Sequence, residues 1–318
     1  MSLWQQAALI RVHSCLSATF VVNRQMGKAG RFVRWITGGP PLLFLLAFFL
    51  APSLIMIVAS FRFPGEYGGL APLVAEGRAN LTLETYRFFF SDFIYTEIFI
   101  KSFAMAAATT LICLLMAYPV ALLIARSGKK SRDLMVLLVI LPFASNFLIR
   151  VYAWMIILGP QSAFSRLVNG MLAIFGVEPV PLLFSPFAVL VGMVYVHLPF
   201  MVLPLYTNLE KHDPTLLDAA QDLGANAWDR FWRVTWPLSL PGVYSGAALV
   251  FIPVLGMFAI PDILGGTGDI LIGNLIKEQF LGTRDWPFGS TLSIMLTIAV
   301  LGSAGIAAWF SRRGASHA

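Results

Sequence analysis

The chain has 318 residues, of which 58% are apolar and only 12% are charged. Soluble domains carry about 25% charged residues, so this composition indicates that lipid solvates much of the chain. The formal net charge of +6 could suggest a nucleic-acid partner, but no soluble basic domain remains once the apolar spans are assigned. The composition therefore predicts an integral membrane protein that binds lipid and no nucleic acid.

Six apolar stretches are long enough to cross a hydrocarbon core, which takes about 20 helical residues. Lipid cannot satisfy bare backbone groups, so each span is predicted to be a helix. The predicted fold class is thus all-α, a polytopic membrane protein with six transmembrane helices. We place the spans at 41–60, 102–125, 134–158, 186–206, 243–264 and 290–310.

Most of the Lys and Arg residues fall in the N-terminal arm, in alternate connections and in the C-terminal tail. The positive-inside rule places such segments in the cytoplasm, so both termini are predicted to be cytoplasmic. Residues 1–39 are interpreted as a cytoplasmic arm rather than a signal peptide, with Met26 as a second possible start. Residues 40–318 are predicted to form one transmembrane domain, whose connections near 61–101, 159–185 and 265–289 face outward.

The predicted cytoplasmic connection at 207–242 has the signals of two short helices joined tightly. Asp213 is a suitable N-cap, Gly224 can end a helix in a left-handed conformation, and Asn226 can cap a second helix that Pro237 stops. Large apolar and aromatic side chains of this kind are common interface anchors. From the residues alone, the pair could bury them against a partner, on the membrane surface or under the chain's own spans.

Within this connection, Asp218-Ala219-Ala220 is followed by Gly224, Val234 and Pro237 at intervals of four, ten and three residues. This pattern resembles the EAA loop of binding-protein-dependent ABC import permeases, with Asp218 in place of the usual Glu. Asp keeps the charge but shortens the reach of the side chain. The resemblance implies the type I ABC importer permease fold for residues 40–318. It also implies that this loop contacts an ATPase through Leu217, Asp218, Ala219, Ala220, Leu223, Gly224, Trp228, Val234 and Pro237.

The partners that the resemblance implies are a cytoplasmic ATPase dimer, a second homologous permease subunit and a periplasmic substrate-binding protein, in a bacterial inner membrane. The chain itself is predicted to be a transporter subunit and not an enzyme. It lacks a phosphate-binding loop, because Ala29 follows Gly27-Lys28 where Ser or Thr is needed. We therefore expect no cofactor on this chain, and ATP and Mg on the partner ATPase. No metal-ligand spacing is present.

Longer segments at 146–155, 198–206, 271–277 and 284–289 resemble the corresponding regions of spermidine/putrescine permeases. This resemblance implies import of polyamines or a related organic cation delivered by a periplasmic binding protein. Two alternatives stay open at this stage. One is an ABC permease for another solute, such as an amino-acid derivative, a sugar acid or ferric ion, and the other is an ion-coupled secondary carrier.

Polar and aromatic residues in or beside the spans are the candidates for a substrate path, because ionisable groups are costly in a membrane. Asp262 follows Pro253 and Gly256, which permit a broken helix, and its carboxylate suits a polyamine; alternatively, it is a water-exposed loop residue. Tyr152 and Trp154 could form an aromatic wall for a cation or belong to an interfacial belt. Arg150, near the outer interface, could line the path or snorkel. Asn146 completes this set.

Overall fold

The computed structural model describes residues 29–72, 74–75, 78–176 and 178–315. The chain divides into two units, 1–58 and 59–318. Residues 1–28, which include Met26 and most of the predicted N-terminal arm, lie outside the described residues.

The described part of the first unit is helical throughout. It belongs to α1 (Ala29–Ser60), whose last two residues fall in the second unit. The part at Gly38–Ser60 is apolar enough to cross a membrane, which agrees with the span predicted at 41–60. The helix itself begins earlier, inside the segment interpreted as the arm.

The second unit contains a short antiparallel pair of two-residue strands and the remaining helices. Four further stretches are long and apolar enough to span a membrane: Phe93–Arg126, Pro186–Leu209, Ala227–Leu255 and Trp286–Gly305. A bent pair of helices, Lys129–Ala144 and Phe147–Leu158, gives one more span if the pair is counted as one. With α1, the described chain thus has five straight spans and one bent pair, in agreement with six predicted spans. The elements are β1 (Val74–Ala75), β2 (Arg78–Ala79), α2 (Glu84–Ser91), α3 (Phe93–Arg126), α4 (Lys129–Ile140), α5 (Phe147–Leu158), α6 (Ala163–Ile174), α7 (Pro186–Leu209), α8 (Thr215–Asp222), α9 (Ala227–Arg230), α10 (Trp236–Leu255), α11 (Ala259–Leu264), α12 (Ile272–Lys277) and α13 (Trp286–Ala315).

The third span, predicted at 134–158 as one helix, is broken. Helix α4 passes into a 3-10 turn at Leu141–Ala144, and α5 then runs at 91° to it. Pro142 lies in this turn and cannot donate a backbone hydrogen bond. Asn146 starts α5 anew, because its Oδ1 accepts the N–H of Leu148 at 2.8 Å. Local chemistry at these two residues therefore divides the apolar run.

The fifth span, predicted at 243–264, has different boundaries. Helix α10 ends at Leu255, and Asp262 belongs to the separate helix α11. The expectation that Pro237 stops the second loop helix is wrong. A wide π-helical turn at Phe231–Thr235 joins α9 to α10, and the N–H of Trp236 donates to Phe231 O. Pro237 then lies in the first turn of α10, where a missing backbone N–H is tolerated.

The second span is longer than predicted, and a separate helix precedes it. Helix α3 has 34 residues, so at 1.5 Å per residue it is about 51 Å long and exceeds a hydrocarbon core of about 30 Å. Asp92 separates it from α2, and its Oδ1 accepts the N–H of Ile94 at 3.1 Å. Residues 84–99 therefore belong to two helices that are divided at this cap.

The centre of the second unit is the packing of α3, α7 and α10. Small residues at these contacts let the helix backbones approach closely, as is usual in membranes. On α3, Ala106, Ala117 and Ala121 are completely buried. On α10, a Cβ atom added to Gly246 would lie 2.7 Å from the sulfur of Met201 on α7. This core holds the segment between α7 and α10 in a fixed place.

Candidate functional site

The 213–237 loop begins with a capped helix. The carboxylate Oδ1 of Asp213 accepts the N–H of Thr215 at 3.0 Å, just before α8. Hydrogen bonds from Thr215 hold the pKa of Asp213 below its ordinary value, because they favour the charged carboxylate. Asp213 therefore fixes the point where the chain leaves α7 and enters the loop.

Gly224 ends α8 in the left-handed conformation that the sequence predicts, with a φ of +83°. The N–H of Gly224 donates to Gln221 O at 2.8 Å, and the N–H of Ala225 donates to Ala220 O at 3.0 Å. These are the two bonds of a Schellman motif, in which a positive φ is required at the residue after the cap. A Cβ at Gly224 would meet no atom within 4 Å, so backbone conformation and not space restricts this position.

The second half of the loop is tied to the first. Asn226 caps α9 as predicted, because its Oδ1 accepts the N–H of Asp229 at 2.9 Å. The guanidinium of Arg230 then donates to Gln221 Oε1 at 2.6 Å, across the joint at Gly224. The two short helices are thus held as one angled element.

The side chains at the turn of the loop, which we call the tip, are Leu223 and Trp228. Leu223 is 89% exposed and Trp228 is 69% exposed. Asp218 and Ala219 on α8 are also exposed. The carboxylate of Asp218 makes no ion pair or hydrogen bond among the described residues, and its backbone N–H donates to Pro214 O at 3.3 Å. The tip is therefore an exposed apolar surface next to a carboxylate that has no side-chain partner among the described residues.

The aromatic residues that connect the tip to the spans, which we call the base, are Phe231, Trp232 and Trp236. Trp228 packs edge-on against Trp232 at 5.6 Å between ring centroids. Phe231 packs against Tyr118 of α3 at 5.5 Å, and Tyr118 also contacts Trp236 at 5.6 Å. A continuous series of rings therefore runs from the tip into the helix core.

Polar contacts reinforce the base. The hydroxyl groups of Tyr118 and Ser239 lie 3.0 Å apart in a buried hydrogen bond between α3 and α10. On the other side, Arg132 of α4 forms an ion pair with Glu210 at the end of α7. Beneath α8 lies a cavity of about 360 Å³, and Leu217 and Val234 are among the residues that line it. The base is anchored, while the underside of α8 faces free space.

At the opposite end of the chain's core, Asp262 forms a cluster with Asn274 and Lys277. The Oδ1 of Asp262 accepts from Asn274 Nδ2 at 2.5 Å, and its Oδ2 pairs with Lys277 Nζ at 2.8 Å. Asn274 Nδ2 also donates to Phe258 O at 3.0 Å. Two donors on α12 therefore already pair with the Asp262 carboxylate within this chain.

A cavity of about 430 Å³ adjoins this Asp262 cluster. Asp262, Asp269 and Glu278 bring three carboxylates to its lining, against the single ammonium group of Lys277. The hydrogen bond to Asp262 raises the pKa of Lys277 above its ordinary value of 10.5, so this ammonium group is charged at neutral pH. The lining thus has an excess of negative charge that suits a cation.

The other candidate path residues do not form one wall. Trp154 packs against Tyr195 of α7 at 5.5 Å, whereas Tyr152 is 47% exposed on another face of α5. Arg150 lies over the ring of Phe143, with 5.3 Å from its guanidinium carbon to the ring centroid. Asn146 is used as the cap of α5. The predicted aromatic wall of Tyr152 and Trp154 is therefore not assembled within this chain.

Two groups of residues were missed from the sequence. Tyr118 anchors the base, although it lies 121 residues before its hydroxyl partner Ser239. Lys277 and Asn274 complete the Asp262 cluster from a different helix. The only signal for Tyr118 was an aromatic hydroxyl inside an apolar run, since such a group needs a buried partner.

Comparison with known proteins places this geometry in a family. Residues 117–314 match the family described as the inner membrane component of binding-protein-dependent transport systems. The chain belongs to this family. The matched residues include the base, both loop helices and the Asp262 cluster.

Relatives in two species cover most of the chain. The Spermidine/putrescine transport system permease protein PotB of Haemophilus influenzae is 41% identical over 80% of this chain and 85% of the relative. The PotB protein of Escherichia coli is 41% identical over 85% of this chain and 94% of the relative. These names agree with the predicted transporter subunit and not with an enzyme.

A solved structure supports the predicted fold. One chain of a bacterial alginate ABC transporter, in complex with an alginate pentasaccharide-bound periplasmic protein, superimposes with a TM-score of 0.67. The match covers 91% of this chain and 98% of the other, at 18% sequence identity. The type I ABC importer permease fold is therefore confirmed, and the chain is a multi-pass inner-membrane transport component.

Proposed function

We propose that the chain is one permease subunit of an ATP-driven importer for spermidine, putrescine or a related polyamine. The observation that carries this proposal is the 213–237 loop, whose apolar tip is exposed while its base is locked into the helix core. An exposed apolar tip on a rigid support is suited to a protein partner. The identity to permeases named for spermidine and putrescine supports the substrate class.

In this proposal, the tip binds a groove of a separate cytoplasmic ATPase that holds ATP and Mg. Leu223 and Trp228 supply apolar contacts, and Asp218 supplies a carboxylate for a cationic partner. Movement of the ATPase then passes through Phe231 to Tyr118 and on to α3 and α10. Such a rigid link allows nucleotide binding at one site to bias a two-state equilibrium at another.

The same proposal fixes the orientation and the remaining partners. If the tip meets an ATPase, the 207–242 connection and both termini are cytoplasmic, as the basic residues also predict. A periplasmic binding protein then delivers solute to the opposite side. A second, homologous permease is proposed to complete the path, which accounts for the exposed side chain of Tyr152 on α5.

The Asp262 cluster is proposed to lie on the outer part of the cation path. Its cavity carries three carboxylates and one ammonium group, so a dication gains more there than a neutral solute. The side chain of Lys277 is itself a primary alkylammonium held by Asp262. A polyamine ammonium could take that place on the carboxylate when Lys277 moves away.

Reconstitution of the purified chain tests the function directly. Proteoliposomes should contain the chain, its second permease and its ATPase. They should accumulate labelled spermidine only when ATP is on the side of the membrane where the ATPase lies and the loaded binding protein is on the other side. The chain alone should be inert. Uptake by the chain alone, driven by an ion gradient, would favour a secondary carrier. ATP-dependent uptake of a different solute would retain the importer and remove the polyamine.

A further inference from the structure

A cavity of about 510 Å³ lies in the second unit, away from the loop, and shares Asp269 and Ile270 with the lining of the cavity beside Asp262. Ala104 and Ala108 line it from α3, and Phe187 and Leu190 line it from the first turns of α7. The two alanines are four residues apart, so they share one face of α3. Their small side chains leave the space that the larger residues of α7 do not fill.

The position of this cavity in α3 gives its depth in the membrane. Lys101 directly precedes the apolar run at 102–125, and Ala104 and Ala108 follow it by about 5 and 11 Å at 1.5 Å per residue. The cavity thus begins where the protein enters hydrocarbon. An apolar cavity gives water few polar partners, and the surrounding solvent at this depth is the acyl chains of lipid.

The rim of the cavity carries charges of both signs. Lys101 Nζ lies 2.8 Å from Glu97 Oε1, and both side chains are about half exposed. An ammonium group has three donors, so Lys101 keeps capacity for a phosphate oxygen. Asp269 Oδ2 accepts the N–H of Gly266 at 2.9 Å, and its other oxygen has no hydrogen-bond partner within the described ranges. The lining therefore offers one ammonium group and one carboxylate, and the second carboxylate, Glu97, is held beside the cavity by its ion pair with Lys101.

This arrangement discriminates between lipid headgroups. A phosphate fits Lys101, and a primary ammonium can donate hydrogen bonds to Glu97 and Asp269. A purely anionic headgroup would leave both carboxylates facing negative charge. A quaternary ammonium has no N–H group to donate.

We propose that this cavity is a binding site for phosphatidylethanolamine. One acyl chain fills the apolar space between α3 and α7, the phosphate binds Lys101, and the primary ammonium binds Glu97 and Asp269.

Native mass spectrometry of the purified transporter tests the headgroup preference. The transporter is incubated with equal amounts of phosphatidylethanolamine, phosphatidylcholine and phosphatidylglycerol. It should retain phosphatidylethanolamine at least about fivefold more than either other lipid, because only this headgroup offers a phosphate to Lys101 and N–H donors to the carboxylates. Lys101→Met and Asp269→Asn should abolish this preference. Equal retention of the three lipids by the unaltered chain would overturn the proposal.

Filling the cavity tests the acyl-chain site. Ala108→Phe should remove the retained lipid, whereas Ala107→Phe places the same ring on a neighbouring residue that does not line the cavity. Lipid retained equally by both variants would overturn the proposal. So would loss of a second protein subunit in Ala108→Phe alone, since a protein helix would then occupy the space. If Ala108→Phe fails to insert, the half-exposed Lys101→Met variant still decides the headgroup question.

Discussion

The 213–237 loop and the Asp262 cluster differ in how their functional side chains are partnered within the chain. The loop exposes Leu223 and Trp228 at its tip, while Phe231 and Trp236 at its base pack against Tyr118 of the helix core. The cluster instead pairs its carboxylate with Lys277 and Asn274 from another helix. The exposed tip is therefore a surface that another protein can reach, whereas a solute can reach the Asp262 carboxylate only if its contacts with Lys277 and Asn274 open.

The largest expected effect comes from the joint of the loop. Gly224→Val forces a β-branched residue to a φ of +83°, which such residues resist. We expect at least about a tenfold loss of ATP-driven uptake, because the angled pair of helices loses its shape. Uptake into vesicles, with insertion checked by immunoblot, measures this.

Gly128→Val is the matched control for that variant. Gly128 has an ordinary φ of −63°, and a Cβ there would meet no atom within 4 Å. Its uptake should stay near that of the unaltered chain. Normal uptake in Gly224→Val would show that the loop geometry is not needed for coupling.

Variants at the tip should weaken ATPase binding, whereas variants at the base should lower the stability of the folded chain. Leu223→Ser alters an 89% exposed side chain, so we expect about a tenfold loss of ATPase co-purification with an unchanged unfolding temperature. Phe231→Ala removes a ring packed between Tyr118 and Trp232, and should destabilise the protein by roughly 2 kcal/mol. Thermal unfolding and co-purification distinguish the two. A large stability loss in Leu223→Ser would mean that the tip packs within the chain.

The charge of the Asp262 cluster should affect the uptake of cations and not the assembly of the importer. Asp262→Asn keeps the shape but removes the charge, so uptake of a dication should fall roughly threefold to tenfold. A neutral analogue should be affected less. The measurement is uptake of both solutes by the assembled importer, with Glu178→Gln, which changes an exposed carboxyl in the 159–185 connection, as the control. Equal losses for both solutes would remove Asp262 from the cation path.

The smallest expected effect is the pH dependence of the Asp262 cluster. The pKa of Lys277 is raised from 10.5 by Asp262, so the stability from this pair is complete below the unfolded pKa and is lost as pH rises through the folded one. Between about pH 6 and pH 9, Lys277→Met should therefore change the unfolding temperature by a constant amount. A difference that varies across this range would show that another titrating group controls the cluster.

The sequence predicts those features that depend on local chemistry or on lipid as solvent. The spans, the positive φ at Gly224 and the cap at Asn226 follow from residue type and spacing. The contacts of Tyr118 with Phe231 and of Asp262 with Lys277 do not, because they join segments brought together only by helix packing. The outcome at Pro237 was also missed, since a π-helical turn leaves little trace in residue pattern.

Site-directed cross-linking from the tip tests the central claim most directly. Cys15→Ser and Cys113→Ala first remove the two native cysteines. Leu223→Cys then introduces a single cysteine, which carries a short cross-linker in intact membranes of cells that express all subunits. We expect a cross-link to the ATPase and no reaction with a membrane-impermeant thiol reagent added outside. A cysteine at 223 that reacts from outside, or that cross-links only within its own chain, would rule out docking of the tip on a cytoplasmic ATPase.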